Sequence, residues 1–141
     1  MAEAFMRQLI HERPGLRHVE VFSAGTVASD GNGPLGQTVR VMQSEHGIDL
    51  TAHRARRLSP NLRADLVLTM DRQVNEEARE VGTSGTLLLI GDFAGSPGEE
   101  VVDPYGGSID DHRACASKVK RLVEAVADKL ERPPSGSPAK R

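Results

Sequence analysis

Two short apolar runs, Leu66-Val67-Leu68-Thr69 and Thr86-Leu87-Leu88-Leu89-Ile90, constrain the fold more than any other part of the chain. Neither alternates with polar residues, so each suits a strand covered on both faces in a parallel sheet. Parallel neighbours need a crossover, and Asp71 to Val81, closed by Gly82, reads as the helix that supplies it. Upstream, Val19-Glu20-Val21 reads as a further strand by alternation and β-branching, ending at the turn-prone Ser23-Ala24-Gly25-Thr26.

Helical patterns fill the intervals. Met1, Phe5 and Leu9 recur at i, i+4 and i+8 until Pro14-Gly15 stops the helix. After a loop from Ala28 to Gly33, Pro34 suits the first turn of a second helix with a stripe of Leu35, Val39 and Met42, and Gly47 follows as its cap. Ser59-Pro60 reads as the opening of one short helical turn. A polar loop from Gly91 to Gly107 is long enough to suggest function. Ser108-Ile109-Asp110-Asp111 resembles a capping box ahead of a last helix striped with Ile109, Cys115, Val119, Leu122, Val126 and Leu130. Residues 1–131 are expected to form one domain, and 132–141, rich in Pro, Ser and Gly, a disordered tail.

The order is α-β-α-β-α-β-α, which predicts an α/β fold with a parallel sheet covered on both faces by helices. The alternation begins on a helix, although each crossover helix in such folds leaves one strand and leads into the next. A first strand is therefore expected ahead of Met1.

Composition narrows the function. The net charge is -2, with 18 basic and 20 acidic residues interspersed, which excludes a dedicated nucleic-acid binder. Four aromatic residues (Phe5, Phe22, Phe93 and Tyr105) are too few for a base-stacking platform. No apolar run approaches the ~18 residues of a membrane span, and no basic segment followed by an apolar stretch opens the chain. A single cysteine, Cys115, excludes an internal disulfide and a multi-cysteine zinc cluster. His11, His18, His46, His53 and His112 show no metal spacing, so no metal and no cofactor are expected. A monomeric, cytoplasmic protein is the expectation.

Several segments, in order and at their separations, carry a resemblance: Met1-Ala2-Glu3-Ala4, Phe22-Ser23-Ala24-Gly25-Thr26, Gly47-Ile48-Asp49, His53-Arg54-Ala55-Arg56 with Leu58, Ala64-Asp65-Leu66-Val67-Leu68-Thr69-Met70-Asp71, and Val102-Asp103-Pro104-Tyr105-Gly106-Gly107. From Met1 to about Leu130 the chain resembles the low-molecular-weight protein tyrosine phosphatases. The resemblance implies a three-layer α/β/α fold with a parallel sheet and hydrolysis of phosphomonoesters on a phosphorylated protein substrate, through a cysteinyl-phosphate.

In that family Met-Ala-Glu-Ala directly follows a Cys-x5-Arg phosphate loop ending in Ser-Pro, which the first strand feeds. This chain starts at Met1, so the first strand, the nucleophilic cysteine and the arginine are not among its residues. The resemblance implies an amino-terminal truncation of a working phosphatase, inactive as written. Four large apolar side chains of such a strand represent roughly 6–12 kcal/mol, against ~5–15 kcal/mol for a whole domain, so poor folding is expected too.

Cleavage by this route needs a thiolate, donors for the phosphoryl oxygens, and an acid for the leaving group. By resemblance Asp103 is the general acid, and the base that activates water afterwards; read alone, it is a turn carboxylate. Tyr105 is the aromatic wall of the substrate cleft or an exposed loop aromatic. Ser23 matches a serine that supports the phosphate loop, or is a plain turn serine. Cys115 and Arg121 satisfy Cys-x5-Arg formally, but the stretch holds no glycine and continues a helical stripe, so it is not expected to cradle phosphate. Arg54, Arg56 and Arg57 read as a solvated face, and a docking patch for anionic partners is the alternative. The Asp103–Asp110 segment also resembles the bacterial protein-arginine phosphatase branch, which leaves phosphoarginine open beside phosphotyrosine. A non-catalytic phosphate-binding or regulatory module is the remaining alternative; arsenate reduction needs relay cysteines that this chain does not hold.

Overall fold

The structure is a computed structural model and describes residues 1–26, 31, 33 and 35–133. The readings that fall on Pro34 and on the tail from Pro134 lie outside the described residues. Five α-helices and two strands are described: α1 (Ala2–Glu12), α2 (Gly36–His46), β1 (Leu66–Thr69), α3 (Arg72–Val81), β2 (Thr86–Leu89), α4 (Ile90–Ala94) and α5 (Ile109–Leu130), with a 3-10 turn at Pro14–Leu16.

Strands β1 and β2 run parallel in the register Leu66↔Thr86 to Thr69↔Leu89, with α3 as their crossover. The Asp71 carboxylate accepts from Val74 N–H to start α3, and Gly82 at φ 88 ends it. Gly85, at φ 72, admits the chain to β2: a Cβ there would collide with the Ala64 and Asp65 carbonyls. No other residue type takes that turn without displacing the end of β1.

Helix α5 is the centre of the core. It packs against α1, α2 and α4, and buries Leu122 and Ala116 completely among Phe5, Met6, Leu9, Leu16, Val41 and Met42. Helix α3 contacts β1 and β2, and its one buried residue, Ala78, lies outside that cluster. The sheet therefore stands between α3 and the other helices, in a three-layer α/β/α arrangement.

Several local readings need correction. Val19-Glu20-Val21 is not a strand: Val19 N–H bonds the Leu16 carbonyl, and the Val21 carbonyl accepts from the Arg7 guanidinium rather than from a neighbouring strand. β-branching favours an extended chain, but only a ladder partner makes it a strand, and none is described. The segment meets the sheet region through Gly25, which bridges Arg57. Leu66, Val67 and Leu68 of β1 and Leu87 and Leu88 of β2 are partly exposed rather than covered on both faces. Ile90 opens α4 instead of ending β2, and Ser59-Pro60 forms a bonded turn, not a helical one. In α2 the buried residues are Thr38, Val41 and Met42, whereas Leu35 is 41% exposed, because α5 sets which side of α2 faces inward.

Candidate active site around the Asp103 loop

The loop from Val101 to Ser108 follows α4 and passes the carboxyl end of β1, where Val101 N–H donates to the Met70 carbonyl at 2.8 Å. Ligands of open α/β sheets bind outside the carboxyl ends of the strands, so this is the position at which a site is expected. At its far end the loop is anchored on α5. The Ser108 hydroxyl accepts from Asp111 N–H at 3.1 Å while the Asp111 carboxylate accepts from Ser108 N–H at 2.9 Å, a complete capping box.

Between these anchors Asp103 is exposed, and its Oδ1 accepts from Tyr105 N–H at 3.0 Å. This bond curls the backbone and holds the carboxylate on its rotamer. Pro104 keeps Asp103 extended, and the Pro104 carbonyl accepts from Gly107 N–H at 2.8 Å. Tyr105 projects outward, 76% exposed.

Ser23 lies against the first turn of α1. Its hydroxyl donates to Glu3 Oε1 at 2.6 Å, and Arg7 Nε donates to Glu3 Oε2 at 2.8 Å. Burial pushes the Glu3 carboxyl up, but the bonds from Ser23 and Arg7, with the Arg7 charge and His53, outweigh it and hold the group below the ordinary carboxylate range.

Cys115 lies against the Asp103 loop. It is half-buried on α5, with Sγ 3.8 Å from the Val102 carbonyl. Burial pushes its thiol up; the Met1 ammonium opposes that, and the Asp103 carboxylate adds to it. Cys115 thus feels the charge of both the Met1 ammonium and the loop acid. A raised thiol is the opposite of an activated nucleophile. Residues 115–121 are one continuous stretch of helix, and Arg121 pairs with Glu99. The formal Cys-x5-Arg match is therefore no phosphate cradle.

Arg54 donates to the Thr51 and His53 carbonyls, and Arg56 lies 5.4 Å over the Phe22 ring. Among the described residues no group of histidine, cysteine and carboxylate side chains could hold a metal ion, and no helix is long and apolar enough to cross a membrane. The sequence pattern did not single out His112, which is buried at 1% exposure with Nδ1 3.1 Å from the Thr38 hydroxyl. Its partner lies 74 residues away, so no local signal could have found the pair.

The sequence model of the low molecular weight phosphotyrosine protein phosphatases matches residues 1–135. The chain belongs to that family. It is 33% identical over 134 residues to a probable low molecular weight protein-tyrosine-phosphatase, EpsP, of Ralstonia nicotianae, covering 92% of this chain and 86% of that protein. It is 32% identical over 136 residues to the protein-arginine-phosphatase of Bacillus subtilis, covering 94% and 88%. Among solved structures, the low molecular weight protein tyrosine phosphatase from T. tengcongensis superposes with a TM-score of 0.78 at 26% identity, covering 91% of this chain and 88% of the other. A YwlE arginine phosphatase, a cysteine-to-serine mutant with a phosphorylated active-site serine, also gives 0.78, at 27% identity and coverage of 92% and 85%. The family fold is the one described above, and family membership implies phosphorylated protein substrates.

Proposed function

We propose that the Asp103 loop is the leaving-group half of a phosphotyrosine phosphatase site, with Asp103 as general acid and then as the base that activates water. The observation that carries this reading is the Asp103 carboxylate: exposed, held by Tyr105 N–H, on a loop anchored to the carboxyl end of β1 and to the α5 cap. An acid placed this way protonates the departing oxygen, which otherwise leaves poorly, and such transfer contributes ~10²–10⁴-fold. Tyr105, outward on the same turn, is the wall against which the substrate side chain lies. Ser23, bonded to Glu3, holds the first turn of α1, whose amino end is the natural seat of a phosphate.

By the family resemblance the thiolate comes from a Cys-x5-Arg loop adjoining Met-Ala-Glu-Ala, and Cys115 does not replace it. The 141 residues taken alone are thus expected to leave phosphomonoesters intact. The protein-arginine phosphatase of Bacillus subtilis, at 32% identity over most of both chains, supports phosphoarginine as the alternative substrate.

The test joins a strand and Cys-x5-Arg-Ser-Pro loop ahead of Met1 and compares turnover of phosphotyrosine and phosphoarginine peptides. In the joined protein Asp103→Asn should lower kcat by ~10²–10⁴-fold while oxyanion binding is retained. Turnover by the 141 residues alone, or an equal loss of kcat and oxyanion binding in the variant, refutes these roles. Preference for phosphoarginine selects the alternative.

A further inference from the structure

Between Asp49 and Asp65 the chain holds four arginines, Arg54, Arg56, Arg57 and Arg63, and no acid, although its net charge is -2. Elsewhere Arg7, Arg13, Arg72, Arg79, Arg113 and Arg121 each pair with a carboxylate. Arg54 and Arg56 are exposed and have no carboxylate partner among the described residues. The acids that reach the adjoining 23–26 stretch are already engaged, Glu3 by Ser23 and Arg7, and Glu77 by Thr26.

The two guanidinium groups are held in place. The Ala55 carbonyl accepts from Gly31 N–H at 2.9 Å, the Arg56 carbonyl accepts from Gly25 N–H at 2.8 Å, and Arg57 bridges Gly25 as in a parallel ladder. Bonded in this way the segment is extended, so the side chains of Arg54 and Arg56 leave it on one face, their Cα atoms roughly 7 Å apart. Arg54 Nη1 donates to the Thr51 and His53 carbonyls at 2.8 and 2.7 Å, which leaves its Nε–H and Nη2 donors unused. Arg56 lies 5.4 Å over the Phe22 ring, and its in-plane donors make no hydrogen bond to the described residues. Two cationic forks fixed before any ligand arrives lose little side-chain freedom on binding, and their geometry matches carboxylates. Phe22, under Arg56, precedes Ser23, whose hydroxyl bonds Glu3 in the first turn of α1. The pair is thereby tied to the helix end at which the proposed function seats the phosphate.

We propose that Arg54 and Arg56 form a docking site for acidic side chains of the protein substrate that flank its phosphorylated residue. Each carboxylate lies across the unused donors of one guanidinium. The substrate as source of those side chains rests on the proposed function; the capture of carboxylates does not.

The probe is the acetylated and amidated peptide Glu-Glu-Phe-Glu-Glu, titrated into the 141-residue protein and followed by NMR. Saturable shifts are expected at the Arg54 and Arg56 Nε–H groups and the Phe22 ring. Binding should be about tenfold tighter than that of the Gln-Gln-Phe-Gln-Gln counterpart, and should weaken as ionic strength rises past ~0.1 M. Arg56→Gln removes no hydrogen bond from the fold and should weaken the glutamate peptide about threefold, whereas Arg79→Gln, on α3, should leave it unchanged. Equal affinity for the two peptides, or an equal effect of the two substitutions, overturns the docking site. Tighter binding of oligothymidylate than of the glutamate peptide assigns the face to nucleic acid and overturns it as well. None of these readings needs turnover, so they stand apart from the roles given to Asp103. With the Cys-x5-Arg loop joined ahead of Met1, a glutamate-flanked phosphotyrosine peptide should show a lower KM than its glutamine-flanked counterpart at equal kcat. Arg56→Gln should erase most of that difference, and equal KM values overturn the substrate as the occupant.

Discussion

The Asp103 loop depends on its anchor at Ser108, and that anchor can be removed by one atom. In Ser108→Ala the hydroxyl that accepts from Asp111 N–H is lost, while the Asp111 carboxylate still reaches Ser108 N–H. The freed Asp111 N–H lies on an exposed turn where water can take it, so the loss belongs at the typical ~1 kcal/mol of a removed cap rather than at the extreme. For a chain of this length that corresponds to a fall in Tm of roughly 3–5 °C. Urea unfolding followed by circular dichroism should show a lower midpoint with an unchanged slope. Because the two bonds form one reciprocal unit, a cycle with Asp111→Ala should give a coupling of about 0.5–1 kcal/mol. Amide exchange at Gly107, whose N–H closes the turn onto Pro104, should also quicken. A loss under ~0.3 kcal/mol, with the two substitutions additive, would show that the box does not anchor the loop.

Gly85→Ala should destabilise by more than ~1 kcal/mol, since φ 72 and the Ala64 and Asp65 carbonyls both oppose a Cβ, and chemical denaturation measures it. The carboxyl of Glu3 is held below its ordinary range, so its contribution is complete above the unfolded value and is lost as pH falls through the folded one. Ser23→Ala should therefore shift acid unfolding to higher pH, and an unchanged acid midpoint would contradict the hydrogen bond. Cys115, with its thiol pushed up chiefly by burial, should alkylate more slowly with iodoacetamide at neutral pH in the folded chain than in urea; equal rates would remove the argument against it as a nucleophile.

How far the chain could be read depended on the range of each interaction. Gly47, Gly82 and the Ser108–Asp111 box were legible because a cap is settled within four residues. Strand β1 matched residue for residue and β2 lacked only Ile90, as unbroken apolar runs between turn signals have few other uses. Val19-Glu20-Val21 misled because propensity records a preference for extension, while a strand requires a partner from elsewhere in the chain. Leu35 misled for a related reason: the apolar stripe of α2 is real, but its buried side is chosen by α5. Of the candidate site, Asp103, Tyr105 and Ser23 were nameable from their motifs, whereas the bond from Ser23 to Glu3 and the pairing of His112 with Thr38 were not.

By itself the sequence determined the helix caps, the parallel pair with its α3 crossover and the residues of the Asp103 loop, since each follows from neighbours a few positions apart. Only the tertiary structure decided that Cys115 lies half-buried beside the loop acid, and that His112 meets Thr38 at the mouth of α2. Those relations depend on how α5 packs across α1 and α2, and the burial and electric fields it creates act through space between residues far apart in the chain.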